Sequence, residues 1–209
     1  MRLGWAAGRR RRLPFNLEDA GSHRWEERAE AAVELLVGNV EAICSHPAAG
    51  LRIADFGAGD QRLKRVLADK TDLQVSYAAF DIRPQADSVV EIDLRRELPA
   101  GDFDLAACLG LLEYLRDVPT FLGRLAARYP AALLSYSVSD HSEPLTKRQR
   151  KSRGWLTHYT TAQLEHELEA AGFGRVAFRL VSQGRTGIWL VASHSSMAAS
   201  SSSASSSKS

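Results

Sequence analysis

The sequence predicts a doubly wound α/β sheet, mostly parallel with an antiparallel last strand. Three observations carry this reading. Short apolar runs alternate with stretches of helical apolar spacing, the first run ends in the glycine-rich turn Asp55-Phe56-Gly57-Ala58-Gly59, and two final apolar runs are joined by Ser182-Gln183-Gly184-Arg185. The folded part is expected over residues 22–193. Residues 1–21 lack periodicity and read as a flexible basic arm, while residues 194–209 hold 10 serines in 16 positions and too little apolar surface to offset ordering, so a disordered tail is expected there.

Along the chain, Arg24 to Val37 places Trp25, Ala29, Ala32, Val33 and Leu36 on one helical face, as a helix covering the sheet would. Leu51 to Phe56 is a strand, followed after the turn by a helix carrying Leu63, Val66 and Leu67. Strands follow at Val75–Phe80, closed by Asp81, and at Val89–Asp93, with a connection too short for a full helix between them. Phe103 to Leu109 is apolar enough to be covered on both faces, as parallel strands are. Asp117 caps a helix with Pro119 in its first turn, and this helix stops before Pro130. A strand at Ala132–Val138 comes next. Thr160 and Gln163 form a capping box opening a helix that ends at Gly172, and strands at Phe173–Val181 and Thr186–Ala192 complete the sheet.

A chain of 209 residues accommodates one full-sized domain and not two. The longest apolar run, Leu105 to Leu112, falls far short of the ~20 residues that span a bilayer. Arg9 to Arg12 is followed by Leu13-Pro14-Phe15 and then polar residues, which leaves no apolar stretch for a signal peptide, and a cytoplasmic protein without membrane attachment is expected. Cys44 and Cys108 then read as reduced thiols. No paired His/Cys spacing suggests a metal, and none is expected. A net charge of +2 is too balanced for whole-surface attraction to nucleic acid.

The chemistry is concentrated at the first turn. Glycines two apart at the carboxyl end of a first strand let backbone approach a nucleotide closely. The dinucleotide fingerprint would place a third glycine where Arg62 stands, and Asp55 directly before the loop would repel a pyrophosphate but suits a ligand with a positively charged head. With this segment the chain resembles the class I S-adenosylmethionine-dependent methyltransferases, whose first motif reads acidic-x-Gly-x-Gly, and whose sheet is the Rossmann-like form of the fold predicted above.

The resemblance covers about residues 50 to 193 and implies S-adenosylmethionine as cofactor. It implies that Asp55, Gly57, Gly59 and Gln61 surround the methionine end, with Gln61 standing where a third glycine is usual. Asp81, with Ile82 beside it, would hold the ribose hydroxyls, and Asp93 with Leu94 would approach the adenine. Phe103 to Leu115 looks like the family's fourth-strand segment, bringing Leu109 to the cofactor, with Tyr114 where many members carry His.

Methyl transfer is an in-line displacement that depends mostly on positioning, with a base needed only where the acceptor keeps its proton. Candidates for acid/base work are Glu113, Tyr114 and His158, with His141 nearby in sequence. A single core domain without a recognition module points to a small-molecule or sugar-like acceptor methylated on O or N. The alternative rests on Lys147 to Arg153, five cations in seven residues within a loop of about 20 residues between Asp140 and Tyr159 that is a candidate substrate lid. That run, together with the Arg9 to Arg12 arm, would suit an RNA methyltransferase or a non-catalytic module that binds RNA or a partner.

Overall fold

A computed structural model of the chain describes residues 23–44, 50–141 and 143–194. The expectations for the basic arm and for the tail beyond residue 194 lie outside these residues. Seven strands form one sheet in the order β3-β2-β1-β4-β5-β7-β6. They are β1 (Leu51–Phe56), β2 (Val75–Asp81), β3 (Val89–Glu91), β4 (Leu105–Leu109), β5 (Ala131–Ser137), β6 (Phe173–Val181) and β7 (Thr186–Ser193). The first five are parallel, and β7 runs antiparallel between β5 and β6. The predicted architecture is therefore the observed one. Among the described residues no helix is long and apolar enough to cross a membrane.

Alternation along β1 shows why the sheet has two faces. Leu51 and Ile53 point into a core shared with Ala29, Val33 and Leu36 of α1 (His23–Val37) and with Leu63, Val66 and Leu67 of α2 (Arg62–Lys70). Ala54 and Phe56 point the other way, into a core with Phe121, Leu122 and Leu125 of α3 (Val118–Arg128) and Leu164 and Leu168 of α5 (Thr161–Ala170). Asp55 follows Leu51 and Ile53 in this alternation and is 4% exposed, a carboxyl carried into a buried layer by the period of the strand.

The caps predicted from sequence are in place. Asp117 accepts the Thr120 backbone N–H at 3.1 Å, and the Thr160–Gln163 box is reciprocal. Gly172, at φ +96°, lies one residue past the cap Ala171, in the left-handed conformation that ends a helix. β2 and β3 pair over three residues only, Ala79 with Val89 through Asp81 with Glu91. The chain thus retraces little distance between them, and a parallel neighbour is reached without a crossover helix.

Two strands are shorter than expected, the third ending at Glu91 and the fourth beginning at Leu105, and the fifth is shifted by one residue to Ala131–Ser137. The segment between Asp140 and Tyr159 departs from expectation more seriously. It is not one irregular loop, for it contains α4 (Lys147–Ser152), opened by a capping box in which Thr146 accepts from Gln149 N at 3.2 Å and Gln149 Oε1 accepts from Thr146 N at 2.9 Å. A Thr-x-x-Gln box at its head was the legible signal for this helix.

Candidate functional site

The loop after β1 is held against β2 from both ends. Gly57 and Ala58 N–H groups donate to the Phe80 carbonyl at 2.8 and 3.1 Å, and Gly59 N–H donates to Asp81 Oδ2 at 3.0 Å. Asp81 Oδ1 accepts from Arg83 N at 2.8 Å. The carboxylate thereby ties the glycine loop to the end of β2, at the carboxyl edge where doubly wound sheets bind ligands. Gln61 takes φ +56°, the left-handed conformation that a third glycine would supply, and its Nε2 donates to Ser88 Oγ at 2.8 Å. Holding a non-glycine residue there costs about 1 kcal/mol. The side chain is fastened to Ser88.

Asp55 accepts a short hydrogen bond from the Tyr77 hydroxyl. Burial, opposed by this bond and reinforced by the nearby charges of Asp81 and Asp60, pushes the Asp55 carboxyl up to about 7. Burial and the Asp55 charge in turn raise the Tyr77 hydroxyl well above its ordinary value, so Tyr77 remains the donor. Ile82 is half-buried beside Asp81. Leu94 is a core residue, and Leu109 at the end of β4 packs against the core on the α1 and α2 side. Asp93 faces Arg95, which donates to it through Nε, Nη2 and backbone N at 2.7, 2.7 and 3.1 Å. These bonds hold its carboxyl below the usual range.

Two consecutive residues after β4 join this loop to a cavity of about 360 Å³. Leu111 lies against Gly57, where an added Cβ would come 3.3 Å from its Cδ1. Gly110, at φ +74°, lies against α1, where a Cβ would fall on Arg28 Nη1 and 2.9 Å from Trp25 Cη2. Only glycine lets helix and turn approach this closely. Glu113 and Tyr114, on the single turn Leu112–Tyr114, line the cavity, as does His141.

Glu113 is 1% exposed; its Oε1 accepts from Ser137 N at 2.8 Å, and its Oε2 is buried with no hydrogen-bond partner. His141 Nδ1 accepts from Glu143 N at 3.0 Å. Burial and the charges of Arg185 and Arg150 keep the His141 ring below its ordinary value. Neutral imidazole in that arrangement carries its proton on Nε2, as a donor rather than a base. His158 lies elsewhere, in a second depression with Tyr159, His166 and Glu167. Of the three acid/base candidates, Glu113 and Tyr114 are brought to the cavity and His158 is not.

The basic run also resolves differently from its appearance in sequence. Arg150 is 1% exposed and points inward, donating through Nη2 to the Ser137 carbonyl at 2.7 Å, the Tyr136 hydroxyl at 3.1 Å and the Thr157 carbonyl at 3.3 Å. Lys147, Arg148 and Lys151 are exposed, whereas Arg153 is half-buried on the cavity wall. Residues missed from sequence include Arg28, Gly110 and Arg150. An arginine three residues after Trp25, on the rim of an apolar helical stripe, was a visible sign of the first.

Residues 22–177 match the family model described as a methyltransferase domain. No curated protein matches the sequence. Similar solved structures include an O-methyltransferase from neocarzinostatin biosynthesis, in complex with S-adenosyl-L-homocysteine and 1,4-dihydroxy-2-naphthoic acid, at TM-score 0.55 and 19% identity, covering 84% of this chain and 60% of that one. The mitomycin 7-O-methyltransferase is similar at TM-score 0.57 and 17% identity, with 83% and 55% covered. The magnesium protoporphyrin IX methyltransferase of Synechocystis PCC 6803, with bound S-adenosylmethionine, is similar at TM-score 0.56 and 15% identity, with 81% and 79% covered. The chain spans 60% and 55% of the length of the first two of these neighbours.

Proposed function

The chain belongs to the methyltransferase-domain family, and on that premise we propose that it transfers a methyl group from S-adenosylmethionine to an oxygen or nitrogen of a small-molecule acceptor. The observation that carries this reading is the junction at Gly110 and Leu111, where the glycine loop held by Asp81 meets a cavity of about 360 Å³. Pockets of that size suit small molecules. The neighbours from neocarzinostatin and mitomycin biosynthesis, named as O-methyltransferases, support the same acceptor class.

The residues present fit the cofactor. A cationic amine suits the buried Asp55 carboxyl, vicinal hydroxyls suit the two-oxygen face of Asp81, and Gly57 and Gly59 leave the loop backbone open to close approach. Asp93 and Leu94, just past the end of β3, are the residues proposed for the adenine. When bound, S-adenosylmethionine supplies an electrophilic methyl on a sulfonium. The chain's part is to place the acceptor atom in line and take its proton, and Glu113 Oε2 is the unpartnered carboxylate oxygen at the cavity for that purpose. The inward direction of Arg150 weighs against the basic run as a phosphate-binding strip.

Calorimetric titration with S-adenosylhomocysteine, with NADH as control, tests the cofactor assignment. We expect roughly micromolar affinity for the former and none for NADH. Asp81→Ala should lose at least about tenfold in S-adenosylhomocysteine affinity with the fold intact by circular dichroism; unchanged affinity would remove Asp81 from the site.

Asp55 makes a second prediction, in pH. Its folded value of about 7 stands above the ordinary carboxyl value of 3.8. At low pH the carboxyl is protonated whether folded or unfolded and carries no penalty, and stability falls as pH rises through the interval up to about 7. Asp55→Asn keeps an acceptor for Tyr77 and cannot ionise. Its stability relative to the parent should therefore increase by about 3 kcal/mol between pH 5 and pH 8, at about 1.4 kcal/mol per unit up to about pH 7. Urea denaturation at the two values reads the difference, and a pH-independent offset would contradict the assignment.

A further inference from the structure

Two arginines meet at the cavity in the same condition. Arg28 of α1 lies with its guanidinium 4.3 Å from the Trp25 ring centroid, is 8% exposed, and has Nε and Nη1 buried without a hydrogen-bond partner. Arg153, at the end of α4, lies 5.6 Å from the Trp155 ring centroid and has Nη1 buried without a partner. All four side chains line the cavity. A buried, unpaired guanidinium N–H costs more than a neutral donor would, and such groups are ordinarily satisfied.

The charges of the lining set the sign of what would satisfy them. Arg28, Arg153 and Arg185 face Glu113 and Glu143, three cations against two anions, with His141 held toward its neutral form by burial. Arg185 and Glu143 are paired with each other at 2.6 Å. Arg28, Arg153 and Glu113 remain, one positive charge in excess, in a space walled by two indoles. A carboxylate accepts N–H groups from two guanidinium groups through its two oxygens, and indole faces match a flat ring.

We propose that the acceptor is an aromatic carboxylic acid, its carboxylate held by the unpaired N–H groups of Arg28 and Arg153 and its ring lying against Trp25 and Trp155. This names the acceptor class for the methyl-transfer site and rests on that reading. The acid contributes the missing anion, and a hydroxyl or amine elsewhere on the ring is carried toward Glu113.

The test uses the full chain saturated with S-adenosylhomocysteine. Hydroxybenzoate and aminobenzoate isomers are titrated against their methyl esters, following tryptophan fluorescence and heat. Acids should bind at least about tenfold more tightly than the matching esters. Arg153→Met and Arg28→Met should each abolish that preference while leaving S-adenosylhomocysteine affinity unchanged, and Arg153→Lys should retain part of it. Equal binding of acid and ester, failure of every acid to bind at millimolar concentration, or a preference unaffected by both arginine variants overturns the proposal. Salt-steep binding of an RNA oligonucleotide pool in place of the acids overturns it as well. Failure of S-adenosylhomocysteine itself to bind, with acids still preferred over esters, would strike the methyl-transfer reading and leave the acid site standing.

Discussion

Replacing Glu113 with glutamine is expected to slow methyl transfer by about 10²- to 10⁴-fold, the range a positioned general base contributes. The variant keeps an oxygen to accept the Ser137 N–H, the bond at 2.8 Å that ties the turn at Leu112–Tyr114 to the end of β5. It removes only the basicity of Oε2. Binding of S-adenosylhomocysteine should therefore be unchanged, and the loss should fall in kcat with KM little altered. An acceptor that is already deprotonated at the assay pH has no proton to give up, and the difference between parent and variant should shrink as pH approaches that acceptor's own pKa. An unchanged kcat on an acceptor still protonated would exclude Glu113 as the base. Glu113→Ala is the less informative change, because it also orphans the Ser137 N–H in a buried place.

Arg150→Met should cost about 3–5 kcal/mol of stability. The guanidinium reaches the Ser137 carbonyl, the Tyr136 hydroxyl and the Thr157 carbonyl together and lies 4.9 Å from the Trp155 ring centroid. A neutral hydrogen bond is worth about 1 kcal/mol, one to a charged group about 1.5–3, and each buried acceptor left alone adds to the loss. Methionine fills much of the volume but donates nothing. For a domain of this size the melting temperature should drop by roughly 10 °C. Since α4 and Trp155 form one wall of the cavity, the preference for acid over ester should weaken in the same variant. Exchanging the exposed Lys147 and Arg148 for glutamine serves as the contrast, with changes within about 0.5 kcal/mol. If that exchange were the more damaging of the two, the inward reading of Arg150 would be wrong.

Both predictions concern residues whose identity was plain in the sequence and whose surroundings were not. Glu113 was a candidate base among others, and nothing in its local sequence separated it from His158. The separation came from placement. Glu113 sits on a turn that β4 delivers to the cavity, while His158 is carried past it into a neighbouring depression. Arg150 stood in a run of cations that read in sequence as one basic strip. A six-residue helix turns successive residues by about 100°, and one of its four cations is thereby aimed into the protein, while Arg153, just past its end, lies on the cavity wall. Even the Gln61 departure was legible only as a difference. That it adopts the backbone conformation of the expected glycine, with its side chain fastened to Ser88, required the fold.

The sequence by itself determined the order of the strands and of every helix but α4, the antiparallel close of the sheet and the glycine loop at the end of β1, because these follow from apolar period, caps and turn residues acting over a few positions. The capping box at Thr160 and the N-cap at Asp117 are decided by neighbours three residues away, and they stand where local chemistry places them. Only the tertiary structure decided what faces the cavity. Trp25 and Arg28 come from the first helix, Gly110 and Glu113 from beyond the fourth strand, and Arg153 and Trp155 from the end of α4. Their charges and unpaired N–H groups acquire meaning only when brought to one cavity. No periodicity encodes that approach, because burial and hydrogen-bond satisfaction are properties of the assembled sheet.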